Sequence, residues 1–288
     1  MKFSGESIFF NAAAGLCAIG GLGYIVSDAL TSTKTPSCVS SYPPGYAMAF
    51  ATRSGVPMTP IELTSYIGSS QQGVMHHAKT APGDEDSAPT VLSVALESGA
   101  SHQHQDRFPK GGIAFTWTPP VMKAVTSACL GYSVRFSDDM DFGHGGLLPG
   151  LFGGRALPPA ETSDGKTGIA ARLAWRKNGQ GAVLVQAPKA NGSTASLLNA
   201  NEVKFNRGQW HRIEQEVVLN TPGSDDGVLR VWIDGDLAIE QTGLVWRQDA
   251  SLALSGTAFD VGYGGGDRTW PAPSPATVEL TPPELSWQ

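Results

Sequence analysis

From residue 46 onward, apolar positions recur in short runs bounded by Gly, Pro or Ser. Such runs are YAMAFATR (46–53), TVLSVALE (90–97), GIAFTWT (112–118), GYSVRFS (131–137), GIAARLAWR (168–176), GAVLVQA (181–187), RIEQEVVL (212–219) and VLRVWIDG (228–235). Many alternate with period 2, the spacing of a half-buried strand. In GIAARLAWR, Ala171, Leu173 and Trp175 share one face; Ala170, Arg172, Ala174 and Arg176 share the other. A face of small residues and arginines suits a groove for an anionic ligand, and equally an outer face in solvent. Helical spacing is confined to PIELTSYIG (60–68). The pattern predicts an all-β fold, a jelly-roll β-sandwich of two antiparallel sheets with one concave face.

The N-terminus differs. Residues 8–26 (IFFNAAAGLCAIGGLGYIV) carry no charge, and about 20 apolar residues cross a bilayer as a helix. An anchor, a cleaved signal peptide and a buried helix are all readings of such a run. The expectation taken forward is a single transmembrane helix within 1–30, with the globular domain exported to a periplasmic or extracellular space. Ala13, Cys17 and Gly21 lie four apart, a spacing that lets membrane helices pack closely. Residues 31–45 (TSTKTPSCVSSYPPG) read as an extended Ser/Thr/Pro linker, and 46–288 as one domain.

Composition narrows the function. A chain of 288 residues with 35 Gly and 20 Pro is turn-rich, and those residues show no period. Net charge is −6 and no basic block stands out, so nucleic acid is not an expected partner. GHGGLLPGLFGG (143–154) lacks the lysine–hydroxyl pair of a phosphate loop and precedes no helix. It reads as a close-packed backbone corner beside a groove, or as a loop. Nothing implies a cofactor or a metal; His102 and His104, two apart, are weak ligand candidates. His76 and His77 are adjacent, and His211 at a strand start reads as structural. Of the three cysteines, Cys38 and Cys129 lie outside the apolar run. They form one disulfide if the domain is exported, or stay two buried thiols.

Five segments in order carry a family resemblance: GHGGLLPGLFGG, GIAARLAWR, GAVLVQAP, WHRIEQEVVLNTPGSDDGVLRVWIDGDLAIEQTGLVWR and VGYGGGDRTWPAP. Together they resemble polysaccharide lyase family 14, the alginate and glucuronan lyase group, over roughly residues 110–287. The resemblance implies a jelly roll whose concave groove binds acidic polysaccharide. It also implies where the site lies, and there the chain departs from the family. Leu147 stands at the signature lysine, Ala170 at a serine, and Leu184 and Gln186 at two tyrosines; Arg172 is kept.

A uronate lyase must neutralise the carboxylate, remove the C5 proton and protonate the leaving oxygen. Leu147, Ala170 and Leu184 move no proton, and Gln186 hydrogen-bonds without titrating. Arg172, Arg176, Gln186, Leu147, Leu184 and Ala170 are the expected groove residues. His144, three positions before Leu147, and Tyr132 on the preceding strand are, with Arg172, the candidates for a relocated catalytic set. Three functions follow as expectations. One is a membrane-anchored, catalytically degenerate lyase-like domain binding acidic polysaccharide or a protein. The others are an accessory subunit among neighbouring membrane-complex subunits, and an active lyase with relocated residues.

Overall fold

The computed structural model describes residues 35–68, 71–101, 111–189, 192–264 and 270–288. The apolar run 8–26 lies outside the described residues, as do His102 and His104. Among the described residues no helix is long and apolar enough to cross a membrane. Residues 37–288 form one unit, an all-β sandwich of two antiparallel sheets.

Strands are numbered in chain order. The nine-stranded first sheet contains β1 (Tyr46–Ala47), β3 (Ala78–Pro82), β4 (Thr90–Leu96), β6 (Ser127–Phe136), β11 (Trp210–Val218), β12 (Gly227–Ile233), β13 (Asp236–Leu244), β15 (Ala276–Leu280) and β16 (Glu284–Trp287). Its order is β13-β12-β11-β6-β15-β4-β3, with β16 also on β6 and β1 on β16. The seven-stranded second sheet contains β2 (Gln71–Gln72), β5 (Ile113–Trp117), β7 (Gly145–Gly154), β8 (Gly168–Arg176), β9 (Gln180–Lys189), β10 (Gly192–Lys204) and β14 (Leu254–Tyr263). Its order is β10-β9-β8-β7-β14-β5-β2.

Alternation fixes what faces inward. Leu130, Tyr132, Val134 and Phe136 of β6 meet Ile169, Ala171, Leu173 and Trp175 of β8 in one apolar core. Phe136 and Trp175 sit edge to face at 5.4 Å, as do Trp175 and Tyr263 at 5.5 Å. YAMAFATR forms only the two-residue β1 and an isolated bridge at Ala51. The helix in PIELTSYIG is present as Pro60–Ile67, with Pro60 in its first turn. A capping box starts it: Thr59 Oγ1 accepts from the Glu62 N–H, and the Glu62 carboxylate accepts from the Thr59 N–H at 2.7 Å.

GHGGLLPGLFGG is neither corner nor loop: residues 145–154 form β7, a central strand of the second sheet, buried from Gly145 to Gly153. A Cβ on Gly146 would strike the Trp175 ring, and one on Gly150 the Ala171 carbonyl. These glycines serve close approach rather than turning. The register slips between Leu147 and Gly150 against β8, and between Ala258 and Gly262 on the β14 side, which marks a bulge.

The described part of the Ser/Thr/Pro stretch is docked rather than solvated. Cys38–Ser41 form a helical turn on the outer face of the first sheet, where Cys38 is disulfide-bonded to Cys129 of β6. Cys38, Tyr42, Cys129 and Trp232 pack together. The Tyr42 hydroxyl donates to Glu216 at 3.0 Å and also hydrogen-bonds Ser127; the Val39 N–H donates to Glu214 at 3.2 Å.

Candidate functional site

The outer face of the second sheet collects the residues singled out in the sequence. On β8 it carries Ala170, Arg172, Ala174 and Arg176, because the alternate positions are spent on the core. Register places Gln186 of β9 opposite Ala170, and Leu184 opposite Arg172. On β7, Leu147 lies opposite Ala174, and Gly150 opposite Arg172.

Arg172 is 2% exposed, and each guanidinium nitrogen has a partner. Nε donates to Asp260 of β14, Nη1 to the Gln186 side-chain oxygen, and Nη2 to the Leu157 carbonyl at 2.5 Å. Asp260 reaches Arg172 from two strands away, across β7. Gln186 is itself saturated: its amide donates to the carbonyls of Pro158 at 2.9 Å and Glu161 at 2.5 Å. The β7–β8 connection is thus folded over this end of the face. It is held there by an ion pair between Arg155 and Glu161 and by a turn around Asp164. The Thr167 and Lys166 backbone N–H groups hold the Asp164 carboxyl down, to about 2. A buried charge needs partners of this kind, a counter-charge and hydrogen-bond acceptors.

The rest of the face is apolar and covered. Leu147, Ala174, Ala182 and Leu184 form one cluster, and Phe152, Ala170 and Ala258 another. Leu147 is 1% and Leu184 7% exposed. Polarity returns at the other end of β8, where half-buried Arg176 places its guanidinium carbon 4.7 Å from the Trp270 ring centre. Exposed His144 stacks on the same indole at 6.0 Å with planes 14° apart.

The candidates therefore separate. His144 and Arg176 meet at Trp270, Arg172 and Gln186 form the buried knot, and Leu147 and Leu184 are packing. Tyr132 is not with them. It is 0% exposed, faces the core between the sheets, and donates to the Pro149 carbonyl at 3.0 Å. Burial pushes its phenol well above the usual range, so it is no acid for a ligand on the outer face. His211 is buried, with Nδ1 2.7 Å from Asp234 and Nε2 accepting from the Asn206 N–H at 2.8 Å. His77 lies 3.6 Å from Glu97. Among the described residues, Cys38, Cys129 and Glu214 have ligand spacing, but both sulfurs are consumed by the disulfide.

Two residues escaped the sequence reading as site residues. Asp260 carried a signal: a lone carboxylate in the apolar strand LSGTAFDVGY is a charge that must be paired if buried. Trp270 carried one only through the family resemblance, as the tryptophan of VGYGGGDRTWPAP; nothing local pointed to its pairing with Arg176 and His144.

The family model described as polysaccharide lyase 14 matches residues 84–280. No curated protein matches the chain. Among solved structures, the PL-14 alginate lyase of Aplysia kurodai superposes with a TM-score of 0.70 at 22% identity, covering 85% of this chain and 100% of that one. A mutant of alginate lyase Aly36B in complex with alginate trisaccharide gives 0.67 at 17% identity, covering 86% and 99%. Alginate lyase vAL-1 from Chlorella virus gives 0.60 at 18% identity, covering 73% and 90%. At these identities the likeness is one of fold.

Proposed function

The chain belongs to the polysaccharide lyase 14 family, and from that premise we propose that it is a catalytically silent member, which binds acidic polysaccharide on the outer face of its second sheet without cleaving it. The observation that carries the reading is the state of Arg172. It is the one polar group kept of the five that the resemblance implies, and each of its three nitrogens already donates within the protein, to Asp260, Gln186 and Leu157. A buried guanidinium already paired with a carboxylate offers an incoming uronate little charge, and three of its five N–H groups are taken. Leu147, Ala170 and Leu184 beside it supply no acid or base for an elimination.

Binding in this reading falls to the open end of the face. Arg176 offers a cation, and the Trp270 indole a planar apolar surface of the kind a sugar ring stacks on. The acidic class is supported by the Aly36B mutant, which was solved with alginate trisaccharide. The chain's net charge of −6 opposes a polyanion at long range, so affinity rests on short-range contacts at this end.

The anchor belongs to the same proposal: residues 8–26 span a membrane once and residues 37–288 lie on its exported side. The Cys38–Cys129 bond supports export, since structural disulfides persist in oxidising compartments.

The test is to incubate the full chain with alginate and with glucuronan, following unsaturated ends by absorbance and binding by affinity electrophoresis. Retarded migration in alginate gels, weakened by Arg176→Ala, without any rise in absorbance is expected. A steady rise that His144→Ala abolishes would replace this reading with the relocated catalytic set.

A further inference from the structure

A cleft lies on the opposite side of the sandwich, on the outer face of the first sheet. It is an open cleft of about 420 Å³ between the N-terminal arm at Ala47 and the β3–β4 hairpin at Asp86 and Ser87; Ser133, Arg212 and Glu284 also line it. That volume is within the range of small-ligand clefts, roughly 300–1,000 Å³.

Three arginines stand on this face, and one differs. Arg135 donates to Glu279 at 2.8 Å and to Asp84 at 2.5 Å; Arg230 donates to Glu240 and Glu216, both at 2.8 Å. Arg212, on β11, comes no nearer than 3.8 Å to Glu214 and 3.9 Å to Glu284. Those separations exceed hydrogen-bond range, and its side chain makes no hydrogen bond among the described residues. The guanidinium is nevertheless placed. It lies over Gly131, where an added Cβ would sit 2.5 Å from Nη2 and 3.2 Å from Val39 Cγ2. A gap in the sheet surface therefore seats the planar group at the cleft with its N–H donors open. The Ser133 hydroxyl likewise has no hydrogen-bond partner among the described residues, and the Asp86 and Glu284 carboxylates are exposed.

We propose that this cleft binds a neutral, hydroxyl-rich sugar unit, so that the domain carries a glycan site separate from the outer face of its second sheet. The charges decide the class. Arg212 contributes one positive charge, and Asp86 and Glu284 in the lining, with Glu214 3.8 Å from Arg212, three negative ones. An anionic ligand meets two carboxylates on entry, and a cation meets the guanidinium. A neutral polyol satisfies both kinds of group: its oxygens accept from Arg212 and its hydroxyls donate to Glu284 and Asp86. Hydrogen bonds to ionised partners are about twice as strong as neutral ones. The proposal does not depend on what the second sheet binds.

The experiment is calorimetric titration of the full chain with cellotetraose, mannotetraose, xylotetraose and, for contrast, alginate tetrasaccharide. We expect at least one neutral tetrasaccharide to bind, and Arg212→Ala and Glu284→Gln each to weaken it by about tenfold or more. Lys79→Ala, a charge-matched change on the β3 surface, should leave it unaltered. Arg212→Ala is checked for unchanged melting; if it melts early, Glu284→Gln carries the test alone, since it keeps shape and removes only charge. Absence of binding by all three neutral sugars, binding indifferent to the variants, or displacement of the neutral sugar by a tighter-binding alginate tetrasaccharide would overturn the proposal.

Discussion

Arg172 shows how far one residue's role depends on its partners. In the sequence it is the arginine of a groove, and Arg172→Ala is expected to weaken ligand binding while sparing the fold. In the structure it is buried against Asp260, and removing it takes from that carboxylate its buried cationic partner. Breaking one half of such a pair costs about 3–5 kcal/mol. Arg172→Ala should therefore lower the unfolding free energy in urea by that order. The double change Arg172→Met with Asp260→Leu should lose much less, because both charges of the pair are removed together. Equal losses in the single and double variants would mean that Asp260 is not the partner that matters. Half of this pair was legible: Arg172 stands out among alanines. Its partner lies 88 residues away, and no local pattern reports a contact made across an intervening strand. Trp175 was legible in full, since alternation puts it inward, and Trp175→Ala should cost about 3–5 kcal/mol for the cavity it leaves.

At the scale of elements, legibility follows side-chain alternation. β4, β5, β8, β9, β11 and β12 read directly from period 2, because one face is apolar and the register is thereby set. β7 did not, because glycine has no side chain to alternate. Its signal is steric, and it appears only when Trp175 and the Ala171 carbonyl are in place. The N-terminal arm was legible in part: Ser, Thr and Pro look solvated, and of what fastens them only the Cys38–Cys129 disulfide was among the alternatives, while Tyr42 gave no signal. That fastening predicts a pH dependence. Burial pushes the Tyr42 phenol up to about 12. A group with a raised folded pKa contributes stability that is complete below the unfolded value, about 10, and is lost as pH rises through the folded one. The arm should stay docked to about pH 10 and loosen towards 12, seen as rising hydrogen exchange at Val39. Tyr42→Phe should shift that loosening out of the window; an unchanged profile would assign it elsewhere. Asp164 acts in the opposite direction. Its stabilisation of the β7–β8 connection is present above 3.8 and is lost as pH falls through about 2.

Across the whole molecule, the two faces of the sandwich have been treated differently. The disulfide ties the arm to the first sheet over a separation of 91 residues. Loop-closure entropy for that length corresponds to about 4–5 kcal/mol at most, so reduction should lower the denaturation midpoint without abolishing the fold. Under the proposed reading, loss of catalysis on the second sheet is a matter of volume as well as of identity. Leu147 and Leu184 are packed under cover. A lysine or tyrosine there would have to bury a polar end or push aside the side chains packed against it. Arg172 would still be committed to Asp260. Installing Leu147→Lys, Ala170→Ser, Leu184→Tyr and Gln186→Tyr together should therefore give no unsaturated product from alginate and should lower stability by several kcal/mol, about 1–3 per overpacked site. Proton transfer requires positioned groups acting as a unit, and the frame that would position them is closed. Adding Asp260→Asn to the quadruple variant tests the remaining step by releasing the guanidinium. Activity that appears only in the quintuple variant would place the block at the Arg172–Asp260 pair; activity already present in the quadruple variant would show that residue identity alone had silenced the site.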